Sequence, residues 1–358
     1  MKSVAVKGFV LLCAAGMMCA CSKNEFTGSA VADTQIVYDV ISTKAAQVYD
    51  TSGRFISYAW YLPDGTKWGG NDNSSVAVPY ISGSEISWQA GVWKNGQDTY
   101  YWPKDGTLTF LSYSPSGIAA NVRVSSTIHR GIMLDSWDVA SHQDIDFMVA
   151  DVQSGMKANG TNAGYVGVPT VFRHKLSMVV AFKVNTLQDY SSKGAFYVTG
   201  LKICNYRQKG SYVSGIEPGT SNLGAWSVDA DAPLNEYEWY SAGTTSGIEI
   251  KYSNSSYTVI PSGTYTGGIL VLPQTFAYVG ENPDYTAVPY LQMDYTVDRG
   301  SYKESKTARI PFYSVFSSGL GMNKKITFNI VINDNQNLIT WAPDMDEWTS
   351  GSDVDISI

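Results

Sequence analysis

Few side chains in this sequence combine the types and spacing that catalysis requires. The chain has three histidines, and only His142 stands close to carboxylates, two and four residues before Asp144 and Asp146. Residues two apart on a strand face the same side, so this spacing suits a metal ion, but it is also common on exposed strands. We interpret His174, between two basic residues, as part of a turn. The sequence contains no phosphate-binding Gly-Lys-Ser/Thr step, zinc-protease helix motif or nucleophile elbow. We therefore predict no enzyme, no metal and no cofactor.

The N-terminal residues have the pattern of an export signal. A basic start at Met1-Lys2 precedes an apolar run over residues 9–20, which is too short to span a bilayer. Residues 18–21 resemble a bacterial lipobox, a signal in which the cut falls before the cysteine and the cysteine then carries the lipid. We expect a signal peptide over residues 1–20, a lipid on Cys21 and a polar tether over residues 21–33. A plain secretory signal is the alternative.

The composition favours strands and turns. Aromatic residues make up 13% of the 358 residues, and 33 residues are glycine. Hydrophobic residues reach 44%, which is enough to fill cores, and the net charge of −7 lacks the basic footprint of a nucleic-acid-binding protein. The length predicts two domains. Once Cys21 carries a lipid, Cys204 has no partner within the mature chain, so we expect it to be a small core residue and not part of a disulfide.

The first strand is expected over residues 34–43. Ile36, Tyr38 and Val40 would share one face of this strand, and Val37 and Ile41 would share the other. A basic step at Lys44 follows directly. The strand therefore stands between a tether and a residue that a protease could recognise.

The rest of the chain is also expected to form strands. Residues 100–115 predict a hairpin whose second arm, over residues 108–114, is buried on both faces. Residues 178, 180, 182 and 184 alternate as an apolar face. A polar stretch over residues 187–194 marks a boundary between an N-terminal domain, residues 34–190, and a C-terminal domain, residues 191–358. No long helical period occurs, so we predict an all-β chain of two sandwiches.

Several short blocks, in this order, resemble the fimbrillin pattern of Bacteroidetes pilins. The blocks are YYWP at residues 100–103, LTFLSYSP at 108–115, DFMVA at 146–150, FRHKLS at 172–177 and LVLPQ at 270–274. The lipobox and the step at residues 43–45 match the leader of this family. Together these blocks extend over nearly the whole mature chain.

The resemblance implies two Greek-key, transthyretin-like β-sandwich domains in tandem. Members of the family travel as lipoproteins to the outer membrane and then polymerise with other fimbrial subunits into an extracellular fimbrium that supports adhesion. An extracellular trypsin-like protease cuts after a basic residue in the leader, which releases the lipid anchor and the first strand. A strand from a neighbouring subunit then fills the gap by β-addition.

The resemblance also suggests residues for each step. Ile36, Val37, Tyr38, Val40 and Ile41 would form the strand that leaves. Lys44 would be the cut position, with Arg54 as the rival site, because the family usually has arginine there and a pocket built for guanidinium need not accept an ammonium. Both could instead be ordinary surface charges.

The C-terminal residues alternate between apolar and polar types. Val354, Ile356 and Ile358 would enter successive pockets of a neighbour as a donor strand, or would pair within their own domain.

The aromatic residues suggest a second hypothesis, a carbohydrate-binding surface lipoprotein. Trp88, Trp93, Tyr100, Tyr101 and Trp102 could form a platform on which sugars stack. Core packing is the simpler interpretation, because aromatic side chains dominate β cores. A surface glycosidase would need two carboxylates facing each other across a cleft, and no pattern in the sequence indicates them.

Overall fold

The structure, a computed structural model, describes residues 35–40, 49–66, 77–125, 131–158, 167–214, 224–280, 282–333 and 338–348. Several predicted features lie outside these residues: the signal peptide, the lipid site at Cys21, the tether, Ile41, the cut position at Lys44, and the candidate donor residues Val354, Ile356 and Ile358. Among the described residues, no helix is long and apolar enough to cross a membrane.

The described chain consists of strands, with three short 3₁₀ segments. The first twelve strands are β1 (Tyr38–Val40), β2 (Arg54–Leu62), β3 (Val78–Gln89), β4 (Val92–Asn95), β5 (Thr107–Ser114), β6 (Val122–Val124), β7 (Ile132–Asp138), β8 (Met148–Ala150), β9 (Gln153–Met156), β10 (Val168–Thr170), β11 (Phe172–His174) and β12 (Ser177–Thr186). The remaining strands are β13 (Ala195–Arg207), β14 (Lys209–Val213), β15 (Ala225–Val228), β16 (Leu234–Ser241), β17 (Ile248–Ile250), β18 (Thr258–Ile260), β19 (Ile269–Val271), β20 (Tyr290–Asp298), β21 (Lys303–Pro311), β22 (Lys324–Asn333) and β23 (Leu338–Glu347). The 3₁₀ segments are Ser116–Asn121, Val139–Ser141 and Phe312–Ser314.

The first sheet curls until its two ends meet. Its strand order is β10-β1-β4-β3-β2-β5-β8-β11, and β9 pairs with β5. Although β10 and β11 stand at opposite ends of this order, only Val171 separates them in the chain. The curled sheet encloses a core that includes Ile36, Tyr38, Phe55 and Phe110. We call this cluster the first core.

A second core lies on the other face of the same sheet. A separate four-stranded sheet, in the order β15-β14-β7-β6, packs on this face. It contributes Leu134 and Tyr212 to the second core, and the first sheet contributes Leu111 and Tyr113. Strand β5 separates the two cores, which explains why seven of its eight residues are buried. The predicted burial of this strand on both faces is confirmed.

The predicted hairpin over residues 100–115 is wrong. Residues 100–103 form no regular strand beside β5, and the partners of β5 are β2, β8 and β9. Tyr101 instead bridges to Gln35 in the segment that leads into β1. The turn signal after Pro103 is present, but the chain before it pairs with a segment distant in sequence.

The third core lies between two further sheets, one in the order β18-β12-β22-β23 with β19 on β12, and one in the order β16-β13-β20-β21 with β17 on β13. Phe182 stacks on Phe328 here, with ring centroids 4.9 Å apart. Cys204 is completely buried, which confirms its prediction as a small core residue. The predicted all-β fold of β-sandwiches in tandem is confirmed.

The apolar face of β12 differs from the predicted one. The pairing of β12 with β22 shifts register between Val179 and Ala181, and the buried apolar side chains are Val179, Phe182 and Val184, whereas Met178 is only partly buried. A bulge changes which residues face the core, and strict alternation cannot indicate it.

The division between residues 190 and 191 stays a prediction. Strand β12, before this point, pairs in parallel with β22, after it. Strand β14, after this point, pairs with β7, before it. Strands from both sides of the division therefore share sheets.

Candidate functional site

Strand β1 lies inside the first sheet, with partners on both sides. It runs parallel to β10, with Tyr38 opposite Val168, and antiparallel to β4, with Tyr38 opposite Trp93. The Ile36 amide donates to the Tyr100 carbonyl at 2.8 Å, and the Val168 amide donates to the Val37 carbonyl at 2.8 Å. Strand β1 is therefore an interior strand of the sheet, although it is only three residues long.

The side chains of this segment alternate as the sequence predicts. Ile36 and Tyr38 are buried in the first core, Val40 packs against it half-buried, and Val37 is partly exposed. Because side chains two apart share one face of a strand, the three apolar residues enter the core in succession. The predicted shared face of Ile36, Tyr38 and Val40 is confirmed.

Tyr38 makes the most extensive contacts of this segment. It is 4% exposed, and its ring meets Phe55 and Phe110 edge to face, with centroids 5.5 and 6.0 Å apart. Burial raises the pKa of its phenol well above the usual value. The hydroxyl lies near the Ser57 hydroxyl, but among the described residues it has no hydrogen-bond partner in good geometry. The ring therefore contributes packing, while the hydroxyl contributes no hydrogen bond.

Gly167 lets the backbone of β1 approach closely. A Cβ atom placed on Gly167 would lie 2.5 Å from the Val37 carbonyl oxygen and 3.1 Å from the carbonyl carbon of Tyr38. Backbone atoms cannot move aside as a flexible side chain can. A residue without a side chain is therefore required where β10 begins to pair with β1.

Tyr49 returns the chain to the same core just before β2. Its ring stacks on Phe172, with centroids 5.0 Å apart, and meets Trp93 edge to face at 5.3 Å. Its hydroxyl donates to the Arg54 carbonyl at 3.0 Å and lies 2.7 Å from the Ser114 hydroxyl. Burial raises the pKa of this phenol to about 12. Tyr49 therefore anchors the chain to the first core shortly before β2 begins.

Arg54, the rival cut position, is the first residue of β2. Its exposed guanidinium pairs with Glu85 at 2.8 Å, and its backbone lies opposite Ser87 of β3. The next residue, Phe55, is completely buried in the first core. The peptide bond after Arg54 is therefore part of a paired, packed strand.

The candidate metal ligands do not converge. His142 stacks on Trp137 at 4.0 Å, whereas Asp146 pairs with His174, from Oδ2 to Nδ1 at 2.6 Å. No group of three metal-binding side chains occurs in the described ranges. The interpretation of His174 as a turn residue is wrong: it ends β11, and it is buried against Trp348, with ring centroids 3.9 Å apart.

Lys175 is a buried cation that the sequence did not indicate. It is 2% exposed, and its ammonium lies 5.9 Å from the centroid of the Tyr212 ring. Burial, opposed by the charge of Asp151, lowers the pKa of Lys175 to about 7. Its carbonyl accepts a bond from the Trp226 indole at 2.6 Å. Two basic residues so close in sequence, Arg173 and Lys175, suggest an exposed turn, so the sequence did not indicate that Lys175 is buried.

The aromatic residues of the carbohydrate hypothesis do not form one open platform. Trp93 is buried and meets Trp88 edge to face at 5.6 Å, while Trp102 packs against Phe110 at 5.8 Å. Within the described segments, Trp88 and Tyr101 expose the largest fractions of this group, 42% and 44%. Most of the aromatic surface is used to build the first core.

A family model and several solved structures are similar to this chain. A family model described as fimbrillin-like matches residues 62–348. A fimbrial protein from Bacteroides vulgatus ATCC 8482 has a similar structure, with a TM-score of 0.56 and 17% identity over 88% of this chain and 99% of that chain. A fimbrilin from Porphyromonas gingivalis W83 matches with a TM-score of 0.40 and 9% identity over 90% and 98% of the two chains. No curated protein matches this chain.

The family model extends over all four sheets, from the last residue of β2 to Trp348. The fimbrial protein from Bacteroides vulgatus has the same fold over nearly its whole length. The chain belongs to the fimbrillin-like family.

Proposed function

We propose that this chain is the precursor of a structural subunit of a cell-surface fimbrium, exported as a lipoprotein, matured by proteolysis and assembled by donor-strand exchange. A lipid on Cys21 would hold the precursor at the outer membrane until an extracellular trypsin-like protease releases it. Its partners would then be other fimbrial subunits. Family membership supports the fimbrial role, and the placement of β1 supports the exchange step.

The observation that carries the proposal is a short strand in an interior position. Strand β1 has only three residues, and its neighbours β10 and β4 are also short, with three and four residues. Because β1 lies between β10 and β4, its departure exposes unpaired backbone groups on both sides and the apolar positions of Ile36 and Tyr38. Such a groove is what an incoming strand can fill by β-addition.

The contacts of β1 also explain why the uncut precursor would keep its strand. A fully buried large apolar side chain contributes about 1.5–3 kcal/mol, and a backbone hydrogen bond contributes roughly 1 kcal/mol. Ile36, Tyr38 and the backbone bonds of this segment therefore offset the entropy cost of ordering β1. A donor strand must restore most of these contacts as the first strand leaves.

The surroundings of Arg54 favour Lys44 as the cut position. A protease binds its substrate in an extended form and needs several residues on each side of the cut, so a bond within a paired strand is a poor substrate. The bond after Arg54 leads into the buried Phe55, and its carbonyl is held by Tyr49. Lys44 precedes these anchored residues, so cleavage there would leave β2 intact.

The proposed donor is the C-terminal segment of a neighbouring subunit. In this chain the corresponding residues are Val354, Ile356 and Ile358, which have the same two-residue spacing as Ile36, Tyr38 and Val40. Equal spacing lets a donor place its side chains at the three positions that the first strand occupies.

The test is limited digestion of the folded full chain with a trypsin-like protease, followed by mass spectrometry and electron microscopy. We expect one cut after Lys44, a stable remainder and the appearance of polymers. Lys44→Ala should block both the cut and the polymers, while Arg54→Ala, the matched control, should behave as the wild type. A cut after Arg54, diffuse degradation, or polymers formed by the uncut Lys44→Ala protein would contradict the proposal.

A further inference from the structure

We infer that the position of Tyr38 selects the donor strand, and that the preferred donor places an aromatic ring there, two residues after an aliphatic side chain. This inference rests on the proposed function, because it concerns the strand that replaces β1. The partner is a fimbrial subunit whose donor segment carries an aromatic residue between two aliphatic ones.

The shape of the site supports a ring. Phe55 and Phe110 each meet the Tyr38 ring edge to face, at interplanar angles of 84° and 86°. Contacts of this kind need an aromatic ring at position 38, and they contribute beyond the apolar area that they bury. An aliphatic side chain of smaller volume would leave unfilled space beside Phe55 and Phe110, and interiors tolerate such space poorly. We call the space around the Tyr38 ring the Tyr38 pocket.

The neighbouring positions are less selective. Val40 is only half-buried, so a range of side chains can occupy its place. Ile36 is buried in the same core, but aliphatic residues of similar volume can replace one another there with modest losses. The central position therefore distinguishes one donor from another.

The polar surroundings indicate that the pocket recognises the ring and not the hydroxyl. The Tyr38 hydroxyl is buried and makes no hydrogen bond to any residue in the described part of the chain. A buried hydroxyl without a partner loses its contacts with water and gains none in return. Phenylalanine should therefore fit at least as well as tyrosine.

The backbone fixes the direction of the donor. The Val168 amide donates to the Val37 carbonyl, and Gly167 leaves room for that carbonyl. A donor that restores this bond must run parallel to β10 and antiparallel to β4, as β1 does. Only in this direction and register does its central side chain enter the Tyr38 pocket.

This chain's own candidate donor segment lacks the required ring. With Val354 at the place of Ile36, the residue at the Tyr38 pocket is Ile356. A second copy of this chain would therefore be a poorer donor than a subunit with phenylalanine or tyrosine at the corresponding position. The pocket would favour a fimbrium in which this subunit is followed by a different one.

The experiment measures strand exchange on the full chain after it has been nicked at Lys44. Fluorescent peptides that correspond to residues 35–41 compete for the groove, and anisotropy and native mass spectrometry report their uptake. The peptide variants are Tyr38→Phe, Tyr38→Ile and, as a matched control at the half-buried position, Val40→Ala. A second pair of peptides corresponds to residues 349–358, with Ile356 unchanged or as Ile356→Phe.

We expect the Tyr38→Phe peptide to bind as tightly as the parent or tighter, and the Tyr38→Ile peptide to bind about tenfold more weakly. Val40→Ala should have a smaller effect, and Ile356→Phe should bind about tenfold more tightly than its parent. Equal binding of all peptides would overturn the inference and leave strand exchange intact. If no peptide enters the nicked protein, the proposed function fails and the inference fails with it.

Discussion

Replacing Gly167 with alanine should loosen β1 without changing any residue of β1. The new Cβ would lie 2.5 Å from the Val37 carbonyl oxygen, well inside van der Waals contact, and the obstacle is backbone. Overpacking at such a position typically costs about 1–3 kcal/mol, while alanine gains a few tenths of a kcal/mol by restricting the unfolded chain. A net loss of ~2 kcal/mol corresponds to a roughly 30-fold increase in the population from which β1 has detached.

Hydrogen exchange and limited proteolysis can measure this increase. The amides of Ile36 and Val168, which donate to the Tyr100 and Val37 carbonyls, should exchange roughly 30-fold faster in Gly167→Ala. Release of the N-terminal fragment should accelerate in parallel. Gly117→Ala is the matched control, because a Cβ on Gly117 meets no atom within 4 Å. If Gly167→Ala exchanges like the control, the close approach between β10 and β1 is not what holds the strand.

The remaining predictions concern two buried residues at the second core and one exposed control position. The pKa of Lys175 is about 7 in the folded protein and near 10.4 in the unfolded chain, so between these pH values Lys175 carries a proton in the unfolded chain that it lacks in the folded protein. The free energy of unfolding should therefore rise by roughly 3–5 kcal/mol from pH 7 to pH 10, and Lys175→Met should remove this rise in urea titrations. The same rise in the Lys175→Met variant would refute the assignment. Trp348→Ala should cost about 3–5 kcal/mol in the same assay, since Trp348 is buried against His174. Trp88→Ala, at an exposed position, should cost less than 1 kcal/mol, and similar losses for both tryptophans would contradict the packing described.

Much of the candidate site could be predicted because its signal is local. The alternation of Ile36, Tyr38 and Val40 is a property of consecutive residues, and any strand that packs one face on a core must follow it. Likewise, the almost uninterrupted apolar character of β5 indicated burial on both faces, and this is the strand that separates the first and second cores.

Features that depend on distant partners were not accessible in the same way. The bulge in β12 arises from its pairing with β22, so no local pattern indicates that Val179 and Phe182 share the core side. The burial of Lys175 depends on Tyr212, which belongs to a strand of another sheet. The hairpin over residues 100–115 was wrongly predicted for the same reason, because Tyr101 pairs with Gln35 and not with the strand that follows it.

The parallel pair of β12 and β22 should form late in folding. Met178 lies opposite Lys325 and Thr186 opposite Ile332, so the centre of this sheet joins the middle of the sequence to a segment much later in it. Pairings between such distant segments form slowly, because a long loop must close before any contact is gained. Until β22 arrives, the backbone groups along this edge of β12 have no partner in the sheet, so this is the edge at which an incompletely folded chain can pair with another copy.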